Sequence, residues 1–103
     1  MKLFLDDLRE APSGWVKVTH PDEVISCILK GEAEIIDLDY HLGNDRQYTG
    51  LTVLKWLQEE IGEGRTPAVV PEIVIHTSDE EAEEIMEGIK RRIYKWIKRD
   101  IGE

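Results

Sequence analysis

Lys2-Leu3-Phe4-Leu5-Asp6-Asp7 decides how this chain folds. It is a short apolar run that ends abruptly in two acids, the pattern of a buried strand with a charged carboxyl end. The same signature recurs at Glu34-Ile35-Ile36-Asp37-Leu38-Asp39, and a third apolar run, Ile73-Val74-Ile75, ends in His76 and Thr77. Between the first two lies turn chemistry, Ala11-Pro12-Ser13-Gly14, and then Trp15-Val16-Lys17-Val18, an alternating stretch of β-favouring residues that predicts a further strand. Pro21 suits a first helical position, and Val24, Ile25, Ile28 and Leu29 predict one apolar helix face ended by Gly31. Leu51, Leu54, Leu57 and Ile61 mark a second helix stopped by Gly62. Gly62, Gly64, Pro67 and Pro71 predict a loop whose Ala68-Val69-Val70 segment packs on the core. Ser78 with Glu81 has capping-box spacing and opens a long final helix with a buried stripe of Ala82, Ile85, Met86, Ile89, Ile93, Trp96 and Ile97.

Strands alternating with helices predict a mainly parallel sheet with right-handed crossovers. The first connection is short, about nine residues, where a parallel crossover ordinarily takes a dozen or more. Either the usual helix has shrunk to a turn, which we favour, or the two strands form a wide antiparallel hairpin. The expectation is one domain spanning 1–103, a shortened receiver/flavodoxin-like three-layer α/β fold. It has about four mainly parallel strands and three helices, and lacks a fifth strand.

Composition narrows the function. With 41% hydrophobic and 34% charged residues the chain can bury a core, and no run is long enough to span a bilayer. Two acids follow Met1 too soon for a signal peptide, and Cys27 is the single cysteine, so a reducing, cytoplasmic location is expected. A net charge of -9 argues against bulk nucleic-acid binding. In the last helix Glu80, Glu81, Glu83, Glu84 and Glu87 precede Lys90, Arg91, Arg92, Lys95, Lys98 and Arg99, the order that complements a helix dipole.

In open parallel sheets ligands bind beyond the carboxyl ends of the strands, where strand order reverses. The residues there are Asp6 and Asp7, Asp39, and His76 with Thr77. A single strand-end aspartate is ordinarily a loop cap. Three brought together repel one another unless a cation lies between them, and all-carboxylate ligation suits Mg²⁺. His76 is a candidate general acid or base, His41 a second, and Arg9 a fork for nonbridging phosphate oxygens.

Leu5-Asp6-Asp7, Asp39 through Gly43, Gly50-Leu51 and Ile75-His76-Thr77-Ser78 resemble the receiver domains of bacterial response regulators. The resemblance puts Asp6 and Asp7 on the metal-binding pair, Asp39 on the phosphoacceptor and Thr77 on the hydroxyl residue. It extends from Met1 to roughly Asp79. Beyond that point there is no fifth strand and no lysine to contact the phosphoryl group. The chain resembles more closely the stand-alone cyclic-phosphate processing receiver domains. That family opens with Leu-Asp-Asp-x-Arg followed by Pro and Gly-Trp, here Leu5-Asp6-Asp7-Leu8-Arg9, Pro12 and Gly14-Trp15. Its Leu-Asp-His-Asp-Leu-Gly and His-Ser motifs stand here as Leu38-Asp39-Tyr40-His41-Leu42-Gly43 and His76-Thr77, with Tyr40 and His41 in place of His and Asp.

That resemblance implies processing of terminal or cyclic phosphates on RNA or nucleotides. The expected site has Asp6, Asp7 and Asp39 on Mg²⁺, Asp39, His76 and His41 in catalysis, and Arg9 and Thr77 on phosphate. Two other classes are compatible with the residues. One is a noncatalytic phosphoacceptor or phosphate sensor using Asp39. The other is a binding module whose amphipathic C-terminal helix pairs with a protein partner or with a second copy.

Overall fold

The computed structural model describes residues 1–40 and 49–100, with side chains to residue 98. Four strands, β1 (Lys2–Leu5), β2 (Val16–Val18), β3 (Ile35–Leu38) and β4 (Glu72–Ile75), form one sheet in the order β2-β1-β3-β4. Every pairing is parallel, so the short first connection is a crossover and not a hairpin. Among the described residues there is no fifth strand. Three helices complete the chain, α1 (Pro21–Leu29), α2 (Gly50–Gly62) and α3 (Glu80–Asp100).

Register explains which side chains meet. Partners in a parallel ladder share a face, and successive residues alternate. Leu3, Leu5, Ile36, Leu38 and Ile73 therefore point one way, and they join Val24, Ile28, Val53, Leu54, Leu57, Ile61, Met86, Ile89 and Ile93 in one buried cluster. All three helices thus pack on that face. Lys2, Phe4, Ile35, Asp37 and Val74 occupy the other, which no helix covers among the described residues. Among the described residues no helix supplies the third layer expected of a receiver-like fold.

The caps follow local chemistry. His20 opens α1: its Nδ1 accepts the Asp22 N–H at 3.1 Å, and Glu23 accepts the His20 N–H at 3.2 Å. Thr49 and Thr52 do the same for α2. At α3 the cap is Asp79, whose Oδ1 accepts from Ala82 N at 3.0 Å, and not Ser78 as its spacing suggested. A carboxylate one residue later does the same work and adds a charge that favours the helix N-terminus. The Tyr94 hydroxyl accepts the Ile73 N–H at 2.7 Å, so α3 also satisfies a donor on edge strand β4.

Three apolar assignments change. Leu29 is 68% exposed and Ile25 only half-buried, because the nine-residue α1 buries the Pro21, Val24 and Ile28 line alone. Ile85 is 51% exposed, turned away from the line of Ala82, Met86, Ile89 and Ile93. Ala68 and Val69 are exposed rather than core, and of that three-residue segment Val70 alone is half-buried.

Candidate functional site

The strand order reverses between β1 and β3, the switch point where such sheets bind ligands. Leu5 pairs with Leu38, and Leu38 with Ile75, so the next residues in line are Asp6, Asp39 and His76. Three further backbone bonds hold them there: Asp6 N to Val18 O, Asp39 N to Leu5 O and His76 N to Leu38 O, at 2.9 to 3.2 Å. Asp6, Asp39 and His76 each offer an atom within 4.8 Å of the other two.

Asp6 is the anchor. It is 1% exposed, and its Oδ1 accepts the Leu8 and Arg9 N–H groups at 2.9 and 3.0 Å. Its Oδ2 meets His76 Nε2 at 2.9 Å and lies 4.0 Å from the exposed Arg9 Nε. Burial works to raise the Asp6 pKa. The Arg9 and Leu8 N–H bonds, with His76, outweigh it and hold the carboxyl below its ordinary value.

His76 is gripped from three sides. Its Nδ1 is bonded to Asp37 Oδ1, its Nε2 to Asp6, and its ring stacks on Phe4 with centroids 4.7 Å apart. Burial pulls its pKa down, but the bonds to Asp37 and Asp6 and the charges of Asp37 and Asp39 win, so its pKa is raised.

Asp7 does not join the group of three. Its Oδ1 is buried without a hydrogen-bond partner, the kind of orphaned acceptor that an ion satisfies. Thr77 is half-buried, and its Oγ1 accepts the Asp79 N–H at 3.2 Å, at the approach to α3. His41 lies outside the described residues. Asp37 and Phe4 were not predicted as site residues. The available signal for Asp37 was its place two residues before Asp39, on the same face of a strand.

The two shifts define a pH window. Asp6, held low, contributes stability that is complete above its unfolded value of 3.8 and is lost as pH falls through its folded pKa. His76, held high, contributes stability that is complete below 6.5 and is lost as pH rises through its folded pKa. Between about pH 4 and 6.5 both contributions are present. Thermal melts across pH 4 to 9 should therefore show wild type losing stability on the alkaline side, and His76→Gln losing markedly less there. Parallel curves for the two proteins would show that His76 does not carry this dependence.

A parallel four-stranded sheet with three carboxylates and an imidazole around its switch point defines a receiver-like domain with an acidic pocket. The sequence profile of the cyclic-phosphate processing receiver domain matches residues 1–92, and the chain belongs to that family. The match runs past Asp79 to Arg92, so most of α3 is part of the family's pattern. Comparison with curated proteins and with solved structures gives no match. No described helix is long and apolar enough to cross a membrane.

Proposed function

We propose that this protein opens or hydrolyses terminal or cyclic phosphates on RNA or nucleotides at the pocket formed by Asp6, Asp39 and His76. The observation that carries the proposal is the convergence of those three side chains within 4.8 Å at the switch point of a chain in this family.

The division of labour follows from their surroundings. His76, with its raised pKa, holds its proton to higher pH than an ordinary imidazole and is suited to the acid role. As water adds to phosphorus and the bond from phosphorus to the 2′ or 3′ oxygen breaks, the Nε2 proton passes to the departing oxygen. That proton is shared with Asp6 in the resting site. Asp39, at the strand end beside it, is the acceptor for the proton of the attacking water. Arg9, largely exposed and 4.0 Å from Asp6, forks onto nonbridging oxygens, and Thr77 lies on the α3 side of the pocket. The donor set fits a hard divalent cation: Asp6 and Asp39 supply carboxylate oxygens, and the orphaned Asp7 Oδ1 lacks any other partner. Mg²⁺ held by these three aspartates would neutralise charge on the phosphoryl oxygens.

The direct test is incubation with 2′,3′-cyclic nucleotides and RNA ends, with Mg²⁺ and with EDTA. Release of a 2′- or 3′-monophosphate is expected. No release from any of them removes the hydrolytic reading. An acyl phosphate on Asp39 from a small phosphodonor would then place the protein among phosphoacceptors, and neither product would leave a binding module acting through α3.

The metal part has its own test, independent of substrate. Like charges held together cost stability in the metal-free protein. Asp7→Asn should therefore be at least as stable as wild type in EDTA, yet gain less from Mg²⁺. A single site contributes about 2.7 kcal/mol at a hundredfold excess over its Kd. An ordinary loop cap behaves differently, costing about 1 kcal/mol when removed, with or without metal. Wild-type melts indifferent to Mg²⁺ would make these aspartates structural.

A further inference from the structure

Asp37 stands inside β3, paired across the ladders with Phe4 on one side and Val74 on the other. A carboxylate in mid-strand between apolar neighbours is costly unless something bonds it. His76 does so through Nδ1, and both side chains are 16% exposed. The stack on Phe4, with ring planes 5° from parallel, fixes the plane of the imidazole. It does not fix which edge faces which way. Turning the ring over about its Cβ–Cγ bond keeps the stack but exchanges Nδ1 with a carbon, and Nε2 with the other carbon. An acceptor beside a ring nitrogen breaks that symmetry: Asp6 does so at Nε2 and Asp37 at Nδ1, and a neutral ring carries one proton for the two of them.

We propose that Asp37 is a positioning residue for His76, accepting the Nδ1 proton and so selecting the tautomer, and with Asp6 the ring orientation, that leave Nε2 facing Asp6 as the working nitrogen. The proposal rests on the phosphate-ester reading only for the step that His76 then performs. In that step Nε2 gives up its proton, and the Nδ1 proton stays bonded to Asp37, so the ring ends in one defined tautomer. This is the arrangement by which a carboxylate behind a histidine holds its working nitrogen in place.

The test reads the ring directly. Imidazole nitrogen resonances of ¹⁵N-histidine-labelled, metal-free protein are recorded at alkaline pH, where the ring is neutral, with His76 assigned by its loss in His76→Gln. Wild type should hold the Nδ1–H tautomer. Asp37→Leu, branched at Cγ in the same way and without an acceptor, should lose it. Asp37→Asn, whose side-chain oxygen still accepts, should recover it. A wild type in the Nε2–H form overturns the proposal even if no variant folds, and so does an unchanged tautomer in Asp37→Leu. With a cyclic phosphate as substrate, Asp37→Leu should lower kcat about 10- to 100-fold and leave KM nearly unchanged. A tautomer that shifts in a protein showing no turnover supports the positioning role and removes the phosphate-ester reading. Turnover with an unmoved tautomer does the reverse.

Discussion

His76→Ala is expected to cut turnover of a 2′,3′-cyclic phosphate by about a hundredfold or more, the usual range for losing a general acid. The expectation rests on the ring's position, since Nε2 is bonded to Asp6 and the imidazole lies in one cluster with Asp6 and Asp39. The substitution also removes the positive partner of two carboxylates. Asp6 is almost wholly buried and would be left with its two backbone donors and the exposed Arg9 Nε at 4.0 Å. Stripping one member from a buried ion pair typically costs about 3–5 kcal/mol, so stability must be measured beside rate. His76→Gln separates the two effects: its amide can still donate to one carboxylate but cannot transfer a proton at neutral pH. Both variants should be equally slow, with His76→Gln the more stable. Turnover in folded His76→Gln equal to wild type would take proton transfer away from His76. The pH profile gives an independent check: because the His76 pKa is raised, the falling limb of kcat should lie above 6.5.

The parts of the site legible in the sequence are those that follow from strand ends. Asp6, Asp39 and His76 each terminate an apolar run, and parallel register does the rest, bringing the first residue after each strand into one row. Asp37 was harder to see because its partner is 39 residues away and depends on a side chain folding back over the sheet. Asp7 is a different case. It follows Asp6 directly yet is not one of the three side chains that offer atoms within 4.8 Å of one another, and sequence could not show that its Oδ1 is buried without a hydrogen-bond partner. The exposed Leu29 and Ile85 have a shared cause. Hydrophobic spacing identifies a helix, but the width of the buried stripe depends on how much sheet lies beneath it, which local sequence does not encode.

Gly50→Ala is the other substitution expected to do most damage, and the reason is steric. A Cβ at Gly50 would stand 2.1 Å from the carbonyl oxygen of Asp39, 2.9 Å from its carbonyl carbon and 3.2 Å from Met86 Cε. The first two are backbone atoms and cannot rotate aside. Either the start of α2 or the end of β3 must move. Moving α2 pulls Val53, Leu54 and Leu57 out of a core in which each is fully buried, while moving β3 displaces Asp39 from Asp6 and His76. Overpacking of this kind costs about 1–3 kcal/mol and sometimes more. At about 4–8 °C of Tm per kcal/mol for a domain of this size, a fall of roughly 10 °C or more is expected. Gly88→Ala is the control, because that glycine lies within α3 and a Cβ there would meet nothing closer than Arg91 Nη2 at 4.0 Å. Glycine in a helix interior costs about 0.5–1 kcal/mol relative to alanine, so Gly88→Ala should raise Tm by a few degrees. Opposite signs at two helical glycines would separate close backbone approach from helix propensity. A Gly50→Ala protein that melts with wild type would mean that α2 tolerates sliding along the sheet, and that Asp39 is not fixed by the contact at its carbonyl.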